Sequence, residues 1–100
     1  MYAAIPAWLL LSLIAGSVLA GDVDAGKARA AVSCAACHGP EGVSILPDYP
    51  NLAGQKARYL EKSLKAFRDG SRVNATMNVM AARLTDQEIA DLAAYFSSLK

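Results

Sequence analysis

Apolar residues recur at helical spacing in two places along the chain. Leu60, Leu64 and Phe67 stand at i, i+4 and i+7 within residues 55–69, and Gly70 follows them as a stop. Ile89, Leu92, Ala93, Phe96 and Leu99 make a second stripe, opened by Thr85-Asp86-Gln87-Glu88, a T-x-x-E capping box. Asp86, Glu88 and Asp91 crowd its first turns, the end of a helix that favours negative charge. A third helix rests on composition: Ala25-Gly26-Lys27-Ala28-Arg29-Ala30-Ala31-Val32 is a run of strong helix formers that Asp22 or Asp24 can cap. Gly26 costs such an interior about 1 kcal/mol against Ala, a cost that the close approach of another helix explains. Residues 39–54 read as loop, since Gly39-Pro40, Gly42, Pro47, Pro50 and Gly54 break any period. Residues 71–76 form a second loop, before a short helical turn over Met77–Leu84. No segment alternates as a strand would, and the fold class is all-α.

The first part of the chain belongs to none of these elements. Residues 3–20 carry no charge, Leu9–Ile14 is the densest apolar block, and Val18-Leu19-Ala20 places modest side chains at −3 and −1. Residues 1–20 therefore read as a secretory signal peptide cleaved after Ala20, with an uncleaved membrane anchor as the alternative. Pro6 and the Ala, Gly and Ser content make it a mediocre permanent span. Residues 21–100 are then one domain, too short for a second and thin in core. Ten basic and nine acidic side chains give no nucleic-acid signature. Lys56, Arg58, Lys62, Lys65 and Arg68 outnumber Glu61 and Asp69 on the middle helix, which reads as a solvated face.

The chemistry concentrates in Cys34-Ala35-Ala36-Cys37-His38. Residues three apart share a helix face, so the two sulfurs point the same way and can form thioethers to the two vinyl groups of one porphyrin. His38 is then held beside the ring, where its imidazole reaches the iron as proximal ligand. A structural disulfide or a thioredoxin-like redox pair would use the same two cysteines, but the latter usually sits near a βαβ pattern. Structural zinc needs four ligands, and Cys34, Cys37 and His38 are three. The motif thus reads as the site of one covalent haem c. The apolar loop residues Val43, Ile45, Leu46, Tyr49 and Leu52 are expected to line it. The carbonyl of Pro47 or Pro50 is expected to orient the histidine ring.

His38 is the only histidine, which excludes bis-histidine ligation within the chain. Beyond Met1, the thioethers are Met77 and Met80. Met77 follows the polar stretch 72–76, where a ligand can be aimed without distorting a helix, while Met80 stands four residues before Leu84 and reads as packing. The expected iron ligands are His38 and Met77, with Met80 as the alternative to Met77 and a Lys amine, a weaker group or water as the further possibilities for the sixth ligand.

At this point the chain resembles the small class I cytochromes c, especially the bacterial c4/c553-like group, over nearly all of residues 22–100. The resemblance rests on Cys34–Gly39, Pro50-Asn-Leu-Ala-Gly-Gln55 with Tyr59-Leu60, Met77, and Leu84–Phe96. It implies the class I cytochrome c fold, three main helices and loops wrapped around one covalently bound haem. It also implies a crossing of the first and last helices at Gly26, with Tyr95 packed nearby and Ala30 where an aromatic is often found. The group's Met-x-x-(Ile/Met)-Ala-x-x-Leu-(Ser/Thr) pattern places the axial ligand on Met77. Many such proteins carry two haem domains in tandem; this chain has one motif. The expected function is single-electron transfer in the periplasm between redox proteins met by transient docking, with no enzymatic activity. Membrane contact is expected only if residues 1–20 are retained. The alternatives are an electron-transfer subunit of a dehydrogenase or oxidase, and a ligand-binding haem sensor or peroxidase-like protein.

Overall fold

The computed structural model describes residues 19–100, so most of the expected signal segment lies outside the described residues. Five helices follow: α1 (Val23–Ser33), α2 (Ala35–His38), α3 (Ala57–Asp69), α4 (Ala75–Ala81) and α5 (Asp86–Ser98). Among the described residues there is no strand, and no helix long and apolar enough to cross a membrane.

Local chemistry sets most of the boundaries. The Asp22 carboxylate accepts the Ala25 N–H at 3.0 Å and caps α1. Gly70, at φ 85°, ends α3 in the left-handed conformation. At α5 the expected capping box is complete: Thr85 Oγ1 accepts the Glu88 N–H, and Glu88 Oε1 accepts the Thr85 N–H, each at 3.0 Å. Arg68 anchors the same corner, its Nη1 donating to the Leu84 carbonyl at 3.0 Å and its Nη2 lying 2.7 Å from Asp86. That guanidinium holds the Asp86 carboxyl below its ordinary range. The pair's contribution is therefore complete above the usual carboxylate range and is lost as the pH falls through the lowered value.

The core lies between α1, α3 and α5. Ile89 and Leu92 are its largest fully buried side chains, with Leu60, Leu84, Tyr95 and Phe96 nearly as covered. Alanines fill much of the rest, Ala30, Ala81, Ala90 and Ala93 among them. The α1–α5 crossing falls at Gly26, where a Cβ would overlap the Asp91 carbonyl oxygen and lie 2.8 Å from Tyr95 Cβ. Asp91, one of the three acidic residues in the first turns of α5, is buried. Its Oδ1 accepts the Asp22 N–H at 2.8 Å and a Gln87 Nε2 proton at 2.9 Å, tying the start of α1 to α5. Because a backbone oxygen cannot rotate aside, Gly26→Ala is expected to destabilise the protein by about 1–3 kcal/mol of overpacking. A thermal melt should show the midpoint falling by about 4–8 °C per kcal/mol.

Three expectations need correction. The short helix begins at Ala75, two residues before the expected turn over Met77–Leu84, so Met77 lies inside its first turn and not at the edge of the preceding loop. Asn74 caps it, its Oδ1 accepting the N–H groups of Thr76 at 3.1 Å and Met77 at 2.9 Å. Met80 is not core packing, being 43% exposed. Val43, Ile45 and Leu46 point to solvent, Ile45 almost entirely, because the loop is folded on itself by N–H groups of Leu52 and Ala53 donating to the Gly42 carbonyl.

Candidate haem site

The α1 helix ends at Cys34, and the chain re-enters a helix at once, so α2 carries Cys37 and His38 a single turn further on. The Cys34 carbonyl accepts the N–H of Cys37 at 3.2 Å and that of His38 at 2.9 Å. All three side chains line one cavity of about 460 Å³. Leu60, Leu64, Phe67, Leu92 and Phe96 supply its apolar surface from α3 and α5. Met77 and Met80, three residues apart on α4, both reach it. Of the five loop residues expected there, Tyr49 and Leu52 line it. A second groove, of about 600 Å³, runs along α3 past Arg58, Lys62 and Lys65, but it is open and charged, and no residue of the Cys34–His38 motif lines it.

His38 is buried, and its Nδ1 lies 2.8 Å from the Pro50 carbonyl oxygen, one of the two expected partners. A carbonyl can only accept, so Nδ1 carries a proton, and in the neutral ring Nε2 is the nitrogen with the free lone pair. Tyr49 stands edge-on to the imidazole with ring centroids 6.4 Å apart. The following loop is pinned from both sides: Ser44 Oγ donates to the Cys37 carbonyl at 3.1 Å, and Tyr95 Oη donates to that of Pro40 at 3.2 Å.

Cys34 and Cys37 are both free thiols. Burial pushes the Cys34 thiol up to about 11, against the smaller downward pull of Arg29. A redox-active C-x-x-C works through a lowered thiol pKa, so this environment speaks against the thioredoxin-like alternative. No cluster of three or more His, Cys, Asp or Glu side chains able to hold a metal ion occurs among the described residues. What the cavity offers is a protonation-fixed imidazole, thioethers, two thiols and an apolar surface. That donor set fits an iron porphyrin.

Two contributors were missed in the sequence. Asn74 reads as loop, although Asn is a preferred N-cap residue and stood directly before Ala-Thr-Met. Met80 reads as packing because its four-residue spacing to Leu84 suits a helix face; its three-residue spacing to Met77 suits one equally and was the signal that both share the cavity side.

Comparison with known proteins agrees with this geometry. The family described as Cytochrome c matches residues 23–100. Cytochrome c-554(548) of Halomonas halodenitrificans is 52% identical over 82 residues, covering 79% of this chain and 98% of that protein. Cytochrome c4 of Pseudomonas aeruginosa is 48% identical over 92 residues, covering 92% of this chain and 45% of its own length. The crystal structure of reduced recombinant cytochrome c4 from Pseudomonas stutzeri superposes with a TM-score of 0.75 at 46% identity, over 81% of this chain and 47% of that one. The chain thus spans about half the length of these cytochrome c4 relatives and nearly all of cytochrome c-554(548). It belongs to the cytochrome c family, as a small class I cytochrome c of the c4 group: an electron-transfer haem protein with one covalently attached haem c.

Proposed function

We propose that this chain is a one-electron shuttle whose haem is tethered through Cys34 and Cys37 and ligated by His38 and Met77. The observation that carries the reading is the convergence on one cavity of both thiols, the oriented His38 ring and Met77. When bound, the haem supplies reversible one-electron chemistry, and its potential is raised by methionine opposite histidine. The protein's part is to orient and to exclude water. Pro50 holds the proton on Nδ1 and fixes the plane of the His38 ring. The α3 and α5 side chains keep the site apolar, which favours the less charged state. Met77 is favoured over Met80 by burial, since Met77 is half-buried and Met80 is 43% exposed. With His38 and Met77 both given to the iron, no ligand position would be left for a substrate, and the chain is proposed to be no enzyme. Reduced holoprotein under carbon monoxide at neutral pH should keep its spectrum; rapid binding would favour the sensor or peroxidase-like reading.

Partners are proposed to be redox proteins met briefly over a small interface. Residues 1–20 are proposed to direct export to the periplasm and to be removed after Ala20. The intact mass of protein from a periplasmic extract should correspond to a chain beginning at Gly21 plus one haem. A mass that includes residues 1–20 would identify a retained anchor.

A further inference from the structure

Met77 sits in the first turn of a helix of only seven residues. So short a helix has little stability of its own. Its last residue, Ala81, is fully buried in the core, and the side chain next to Met77 ties down its start. Asn78 is half-buried, and its amide makes three hydrogen bonds, one to the end of α3 and two to the loop that leads into α4. Nδ2 donates to the carbonyl of Phe67 at 2.9 Å and to that of Arg72 at 2.9 Å, while Oδ1 accepts the N–H of Asn74 at 2.8 Å. The partners fix the amide's orientation, since two are carbonyls and one is an N–H. Phe67 lies in the last turn of α3, where carbonyls lack a partner within the helix, and Arg72 lies in the connecting loop. Asn74 is itself the cap that accepts the Met77 N–H. One side chain therefore closes the α3–α4 corner and braces the cap on which Met77 rests.

We infer that Asn78 is the positioning residue for the methionine ligand: its amide clamps the end of α3, the 70–74 loop and the cap of α4 into one unit and so keeps Met77 at the iron. The inference rests on ligation by Met77. Without the clamp, the start of α4 can move away from the cavity while α2, which carries His38, and α1, α3 and α5, which form the core, stay packed. Loss of Asn78 should loosen the ligand more than the fold.

The test uses ferric holoprotein, with imidazole as competitor for the sixth position and the far-red thioether-to-iron band as readout. Asn78→Ala should need roughly tenfold less imidazole for half-displacement, the effect of losing one to two net hydrogen bonds. Asn78→Ser, whose hydroxyl cannot span both carbonyls, carries the same test if the alanine variant yields no holoprotein. Asp22→Ala is the control: it removes the α1 cap remote from the cavity, lowering the melting midpoint without shifting the imidazole titration. If Asn78→Ala lowers the melting midpoint but leaves the imidazole titration at the wild-type value, its role is structural only and the inference is overturned. Met77→Ala is the separate arm. A band that survives there overturns Met77 ligation, and with it the role given to Asn78; a band lost there, with unchanged displacement in Asn78→Ala, overturns the positioning role alone.

Discussion

Replacing both haem-bearing cysteines, Cys34→Ala with Cys37→Ala, should leave a chain that is largely unfolded without haem and only loosely holds it when supplied. The reason is the cavity. Kept dry and closed, about 460 Å³ would cost on the order of 10 kcal/mol at roughly 24 cal/mol per Å³, which is comparable to the entire stability of a domain. Flooded, it wets Leu60, Leu64, Phe67, Leu92 and Phe96, much of the apolar surface the three larger helices share. What remains buried away from the cavity is mostly alanine, with Ile89 the one fully buried large side chain that does not line it. A chain of this size buries too little else to compensate. Haem attachment is therefore coupled to folding, as metal binding is in small metallo-domains. Circular dichroism of the haem-free double variant should show most of the helical signal gone. A cooperative melt with native-like helix content would mean that the polypeptide carries its own core.

The parts of this architecture legible in the sequence are those with local causes. Gly70 and the Thr85–Glu88 box act on their own neighbours, so residue type and spacing were enough to place the end of α3 and the start of α5. For α1 they narrowed the cap to Asp22 or Asp24, of which Asp22 serves. Gly26 was legible for a different reason, since a glycine inside an alanine-rich helix requires an explanation, and the α5 backbone provides it. The C-x-x-C-H run was legible from its chemistry, and the need of a ligating imidazole for a carbonyl partner narrowed the choice to Pro47 or Pro50, of which the fold uses Pro50. Direction within loops was not legible. Val43, Ile45 and Leu46 are apolar, but a loop has no period to say which way a side chain points, and all three face water. Asp91 was equally opaque: its burial depends on the Asp22 N–H, which lies far away in sequence. The same holds for Asn78, whose partners lie on α3 and the following loop and leave no trace in spacing.

Met77→Ala should open the sixth position of the iron without unfolding the protein. The side chain is half-buried on a short peripheral helix, and α4 keeps its Asn74 cap, since that cap uses the backbone N–H of residue 77 and not its side chain. Loss of the thioether removes the ligand that favours reduced iron, so the midpoint potential should fall by a sizeable part of the roughly 0.8 V that axial ligation spans. The same variant should bind carbon monoxide readily once reduced. Potentiometric titration against the parent protein measures the first effect, and an unchanged potential would show that Met77 is packing.

Met77 and Met80 line the same cavity three residues apart, and the claim of a closed iron held between His38 and Met77 depends on telling them apart. The far-red thioether-to-iron band of the ferric holoprotein does so directly when recorded for the parent, Met77→Ala and Met80→Ala. The band should be present in the parent, absent in Met77→Ala and retained in Met80→Ala. A band that survives in Met77→Ala and vanishes in Met80→Ala would contradict the assignment, and a parent without the band would contradict the closed iron itself.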